Sequence, residues 1–356
     1  MKTYCKNMKI TRETVAAGYE MWASGEAGRE NAWRVEDEHG SADALIDEIA
    51  REISGRCLGC RPIRYVPGID HNNGKRRIYA VQSVKQQVLD YTVYACIEGM
   101  ATARLGFYQL AGVKGKGGNL GLRRVRKWVS RCRYAAQGDV YHCYEEQPQD
   151  VVMEWYRRHV GSEDVLYVVG FILGTYRKGL NIGSYFSLYT MSLLLSDAYH
   201  FIESLGKRRR GRWKPLARHQ AWHLDDVLLV GDDKRDLKRA MRALDRWLRE
   251  NLGLHLKPWK VVDLREQPVT MLGYTFRPSR VRVADRTFLR ARRAFRRFSR
   301  RPSLGLARRA VSYNGWFKHA DTWTFRDENG VFGAVRRARK MVSDYDRRMA
   351  ACSKPL

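Results

Sequence analysis

Two adjacent carboxylates enclosed by apolar residues constrain this chain more than any other feature. Residues 221–230 read Ala-Trp-His-Leu-Asp-Asp-Val-Leu-Leu-Val, with Asp225 and Asp226 between the two apolar runs. Short apolar runs on either side of a polar dipeptide read as two strands joined at a tight turn. Two like charges beside a core raise each other's energy unless cations stand nearby or are held there. Alone, such a pair is more often an ordinary acidic turn. A third carboxylate at the end of another strand changes that balance, and Asp139, in Gln137-Gly138-Asp139-Val140-Tyr141, is the candidate. Carboxylates suit Mg²⁺, which takes hard oxygen ligands in octahedral geometry. Two such ions held about 3.5–4 Å apart serve in-line phosphoryl transfer.

The charge balance points to a polyanion. The 356 residues carry 66 Lys and Arg against 38 Asp and Glu, a formal net charge of +28. A surplus of this size concentrates nucleic acid around a protein. Residues 1–60 hold 8 basic and 11 acidic side chains, so the surplus lies wholly in residues 61–356. Between residues 286 and 309 there are ten arginines and no acid. Arginines in such a row contact phosphates without reading bases, which predicts salt-sensitive binding governed by shape. Phe288, Phe295 and Phe298, at near-helical spacing, are expected to pack that helix, and Trp316 and Trp323 to lie in the core.

Seven scattered cysteines and a polar N-terminus without an apolar leader read as reduced thiols in a cytoplasm. Cys57 and Cys60 form a lone CxxC with no second pair; with His71 they fall short of the four ligands of a structural zinc. No apolar run is long enough to span a bilayer.

Local pattern gives a mixed α+β chain. Helices are expected at 11–27, 42–54, 84–99, 122–129, 149–159, 187–204 and 234–251, and through the arginine-rich end from 287. Ser41 caps the second of these and Gly55 ends it. Strands are expected at 62–66 and 76–80, around 135–141, on both sides of Asp225-Asp226, and as a short pair between 254 and 276. Residues 207–212, Lys-Arg-Arg-Arg-Gly-Arg, read as a solvated hairpin or loop.

Taken in order, several segments resemble the motifs of reverse transcriptases, across roughly residues 10–345. The block from Asp139 to Tyr144 resembles the first palm motif, an aspartate with an aromatic five residues on. Gly179-Leu-Asn-Ile-Gly-Ser184, running on to Ser192, is similar to the second. His223-Leu-Asp225-Asp226 resembles the Tyr-x-Asp-Asp motif, and 254–260 the palm segment that follows it. Met271-Leu272-Gly273-Tyr274 is similar to the primer grip, and 312–319 to a thumb segment of phage and group-II-like bacterial enzymes. The resemblance implies a right-hand polymerase, with an N-terminal helical extension at 1–60, fingers at 61–134, palm at 135–276 and a helical thumb at 277–356.

It also implies roles. Asp139, Asp225, Asp226 and the Val140 carbonyl would hold two Mg²⁺ ions. Lys257 would protonate the departing pyrophosphate. Lys75, Arg76 and Arg77 would bind the triphosphate, with Ile182 and Gly183 against the nucleotide. Tyr144 would exclude a 2′-hydroxyl; by itself it reads as a packed strand-end tyrosine. Leu272, Gly273 and Tyr274, with Arg290, Arg293 and Arg297, would bind primer and template. The expected partners are dNTPs, an RNA template (a dedicated structured non-coding RNA), the DNA product and a small accessory protein. The biology expected is that of a prophage or anti-phage defence enzyme.

The chain departs from the pattern at four positions. Asn181 replaces proline, Leu188 replaces glutamine, Ser192 replaces asparagine and His223 replaces tyrosine or phenylalanine. These flank the nucleotide and template, which leaves fidelity open. Ile182-Gly183 is also similar to diversity-generating retroelement enzymes, an error-prone alternative. A retron enzyme fits less well, because Val-Thr-Gly and Asn-Ala-x-x-His are missing, and the chain is short for a group II intron protein. It also leaves no length for an RNase H or HNH domain. An alternative of another class is a non-catalytic RNA-binding protein on a polymerase scaffold; the three intact acids argue against it.

Overall fold

The computed structural model describes residues 3–69, 74, 76–111 and 116–352. Three helices come first: α1 (Arg12–Ser24), α2 (Glu26–His39) and α3 (Ala42–Ser54). A hairpin follows, β1 (Arg64–Ile69) and β2 (Arg76–Val81), then α4 (Val84–Arg104), α5 (Gly118–Val129) and β3 (Tyr134–Asp139). Next are α6 (Gln149–His159), α7 (Glu163–Gly174) and α8 (Tyr185–Ser204). Two more hairpins, β4 (Gly206–Arg209) with β5 (Arg212–Pro215) and β6 (His219–His223) with β7 (Asp226–Gly231), lead to α9 (Lys234–Leu252). Four short strands, β8 (Lys260–Asp263), β9 (Val269–Met271), β10 (Tyr274–Arg277) and β11 (Arg280–Val283), precede the helices α10 (Asp285–Arg300), α11 (Leu304–Lys318), α12 (Trp323–Glu328) and α13 (Val331–Cys352). The mixed α+β expectation holds, with small antiparallel sheets among many helices. No helix among the described residues is long and apolar enough to cross a membrane.

The chain forms two compact units. The first contains residues 1–117, 136–229 and 235–260. Its core is built on α4 and α8, nearly all of whose apolar side chains are buried. Serines cap both helices: Ser83 Oγ accepts from the Gln86 amide, and Ser184 Oγ from the Ser187 amide. The acidic N-terminal helices attach through ions as well as apolar contact. Lys85 on α4, itself buried, reaches Glu48 at 2.6 Å and Glu52 at 2.7 Å on α3. Strands β6, β7 and β3 lie side by side in that order, and α9, whose Leu237, Met241, Leu244 and Leu248 are buried, reaches β3 through Met241. Gly138 lets α9 approach, since a side chain there would meet Met241 at 2.7 Å.

The second unit contains residues 118–135, 230–234 and 261–356. Its three-stranded sheet, β11-β10-β9, is followed by the four C-terminal helices. Phe295 and Phe298 are buried, and Phe288 stacks on Phe317 at 5.6 Å, as the spacing predicts. Trp316 is half-buried against Gly273 and Tyr274. Trp323 corrects the expectation of a core residue: it is 69% exposed and touches Phe332 with one side only.

Gly18 allows α1 and α4 to lie close, because a methyl there would sit 2.6–2.7 Å from Thr92 side-chain and backbone atoms. Gly99, within α4, faces nothing within 4 Å. Gly18→Ala is therefore expected to lose about 1–2 kcal/mol of stability despite the better helix former. Gly99→Ala should gain up to about 1 kcal/mol. Chemical denaturation of both variants checks the opposite signs.

Candidate active site

The three acids are brought to one place by backbone hydrogen bonds. The Val140 amide donates to the Asp225 carbonyl at 3.0 Å, so the end of β3 lies beside the β6–β7 turn. The Lys257 amide donates to the Asp139 carbonyl at 2.8 Å, and the Tyr141 amide to His255 O at 2.9 Å. These bonds seat Lys257 across from Asp139, and Lys257 Nζ meets Asp139 Oδ1 at 2.5 Å. Two turns here hold non-glycine residues in left-handed backbone, His142 at φ 40° and Leu224 at φ 55°. Each such residue costs about 1–2 kcal/mol, and strain of this kind gathers at functional sites.

These residues line a cleft of about 900 Å³. Its acidic wall carries Asp139, Asp225 and Asp226, with Glu145 beside them. Opposite charge comes from Lys257, Arg76 and Arg77. Tyr144, Ile182 and Gly183, also expected here, line the cleft too, and Tyr79, Tyr91, Tyr185 and Leu188 form an aromatic and apolar wall. Tyr91 and Tyr185 stack at 4.1 Å. Val140 is buried at the strand end. Lys75 lies outside the described residues, as does His71. Leu272, Gly273 and Tyr274 and the arginines of α10 belong to the second unit. There Leu272 and Gly273, both at positive φ, make the two-residue turn from β9 to β10.

The loop carrying Ile182 and Gly183 is fixed from three sides. The Ala80 amide donates to Ile182 O at 3.0 Å, which joins the loop to β2. The Leu180 amide donates to Tyr144 O at 2.7 Å. Gly179, at φ 58°, is needed at that approach because any side chain would collide with the Tyr144 and Glu145 carbonyls. Asn181, where proline is usual, accepts a bond from the Tyr65 hydroxyl at 3.3 Å. Gly183, at φ 105°, leaves bare backbone on the cleft.

Sequence reasoning missed the residue beneath this loop. Asp90, on α4, is fully buried. Its Oδ2 accepts from Ser184 Oγ at 2.7 Å, Gln82 Nε2 at 3.1 Å and the Phe186 amide at 3.2 Å. It thus sits at the positive end of α8 and grips the cap residue of the cleft loop. Burial pushes its carboxyl up to about 7, against the lowering effect of the hydrogen bonds from Ser184, Phe186 and Gln82. The sequence signal was an acid between Leu89 and Tyr91 on the face of α4 that also carries Val93 and Ile97.

The electrostatics of the cleft follow from burial and like charge. Asp225 is held above the usual carboxylate range first by burial and then by Asp139, while Lys257 and Arg77 pull the other way. Burial also raises the Tyr144 hydroxyl and the Cys143 thiol, and lowers His223, which favours its neutral form. A divalent cation suits this donor set: the oxygens are hard, and added positive charge would relieve the Asp225–Asp139 repulsion. The three acids share the cleft, but among the described residues no three acidic, histidine or cysteine side chains stand close enough together to hold one ion as they are. Cys57 is exposed, and burial pushes the Cys60 thiol up to about 12, away from the thiolate a zinc site needs.

No protein-family model matches this chain, and no curated protein matches it.

Asp90 gives a pH signature. Its folded pKa lies above the unfolded value of about 3.9, so the folded state holds the proton more tightly. The stability it contributes is full below about pH 4 and is lost as the pH rises to about 7. Asp90→Asn removes that dependence. Unfolding free energies of the two proteins, compared from pH 4 to 7, should shift in favour of the variant by a few kcal/mol, on the order set by linkage. A constant difference would show that Asp90 does not titrate in this range.

Proposed function

We propose that this chain is an RNA-directed DNA polymerase, extending a primer by nucleotidyl transfer in the cleft around Asp139, Asp225 and Asp226. One observation carries the reading: four separate segments bring three carboxylates, a lysine, two arginines and a tyrosine to one cleft. The motif order that resembles reverse transcriptases supports it. The fingers, palm and thumb arrangement belongs to the same proposal. So does a dedicated structured RNA as template, supported by the exposed arginines of α10, among them Arg293 and Arg297.

Two Mg²⁺ ions, held by Asp139, Asp225, Asp226 and the Val140 carbonyl, would supply Lewis acidity at the phosphoryl group. Arg76 and Arg77 neutralise the triphosphate and hold it in line. The primer 3′-hydroxyl gives up its proton to solvent as its oxygen bonds to the α-phosphorus and the bond from that phosphorus to the bridging oxygen breaks. Lys257, positioned by its ion pair with Asp139, donates a proton to the departing pyrophosphate. Tyr144 lies under the sugar and leaves no room for a 2′-hydroxyl. Gly183 lets the nucleotide approach the backbone, and Asp90 holds that backbone still through Ser184.

Primer extension on an RNA template with dNTPs and Mg²⁺ tests the reading. Asp225→Asn and Asp226→Asn should each lower incorporation on the order of a thousandfold, with no loss of melting temperature. Full activity in the double variant would refute the assignment of the acids. Tyr144→Ala should reduce discrimination against ribonucleotides by about tenfold or more. Unchanged exclusion in single-nucleotide incorporation assays would place the sugar check elsewhere.

A further inference from the structure

The β4–β5 hairpin lies outside the cleft and has no role in the chemistry above. Residues 207–214 hold six basic side chains and no acid. An exposed arginine run alone is an ordinary solvated surface, but two features set this one apart. Trp213 stands among the cations with 56% of its surface exposed. The hairpin is also anchored: Lys207 Nζ meets Asp236 Oδ1 at 2.5 Å, and that carboxylate, on α9, is only 3% exposed. The Leu216 amide closes the base of the hairpin on Leu205 O at 2.9 Å.

Strand register sorts the side chains. Arg208 pairs with Trp213 and Gly206 with Pro215, so these four share one face, while Arg209 and Arg212 point to the other. The indole lies across Gly206, where any side chain would collide with the ring. One face of Trp213 is therefore covered and its position set, while the remainder is open with a guanidinium next to it. An indole this exposed is costly in water and suits a flat apolar ligand. The cations beside it require that ligand to be anionic.

We propose that this hairpin binds single-stranded nucleic acid, with a base stacked on Trp213 and a flanking phosphate held by Arg208 on the same face. Stacking on an aromatic platform within a basic surface is how unpaired strands are held without regard to sequence. A duplex keeps its bases stacked inside and has none to offer, and an acidic peptide would use the cations and leave the indole idle. The site lies one strand upstream of the acids. β6 spans five residues, about 17 Å, between the hairpin side and the turn that holds Asp225. A strand held here is thus close to the cleft without entering it.

Photo-crosslinking tests this without dNTPs or metal, so its outcome is independent of the polymerase reading. Hexanucleotides bearing 5-bromouracil, one DNA and one RNA, are irradiated with the full chain and the adducts mapped to peptides. An adduct on the 206–215 peptide is expected with one or both oligonucleotides, and the more reactive of the two identifies which strand the hairpin holds. Trp213→Ala should reduce that adduct at least about fivefold, as loss of one stacked base implies. Trp213→Phe should retain most of it, and Arg208→Glu should abolish it. Absence of any adduct in this peptide, an undiminished adduct in Trp213→Ala, or an equal yield from the duplex form would each overturn the proposal.

Discussion

The hydrogen bond from the Val140 amide to the Asp225 carbonyl sets the register on which the acidic cleft depends. It brings two strand ends together that are more than eighty residues apart in sequence, and with them two carboxylates that repel. Burial and repulsion raise the pKa of Asp225, while Lys257 and Arg77 offset part of the cost. Strained turns at His142 and Leu224 add to it. A fold that maintains such a cluster invests stability in positioning charge, as expected where charge is to be used.

The surrounding elements serve that cluster. The loop 179–184 is pinned by β2, by the Tyr144 carbonyl and, from beneath, by Asp90. The stacked Tyr91 and Tyr185 and the apolar Leu188 make one wall of the cleft aromatic and apolar, where the resemblance expects a polar glutamine at 188. Asn181 takes a hydrogen bond from Tyr65 that proline could not accept through a side chain. Two of the four departures from the family pattern thus have a local physical role.

Much of this was legible in the sequence. The paired acids foretold the β6–β7 hairpin, and capping residues foretold α3, whose span from Ala42 to Ser54 matches the expectation. The expected helix at 149–159 matches α6. Other elements were missed because local pattern does not carry them. Helix α2 is mostly polar with only Gly28 and Val35 buried, and α7 is apolar on nearly every face, so neither shows clear periodicity. Strand β11 is four residues long and half charged. Asp90 was invisible because its partners Ser184 and Phe186 lie 94 and 96 residues away. Trp323 was misjudged because bulk and apolarity favour burial without requiring it.

The central claim is that this cleft copies RNA into DNA. Sequencing the nucleic acid that co-purifies with the protein, before and after addition of dNTPs and Mg²⁺, tests it most directly. The account predicts an enriched RNA beforehand and, afterwards, new DNA complementary to part of it. DNA with no complement in the bound RNA, or bound RNA with no DNA made from it, would contradict the claim.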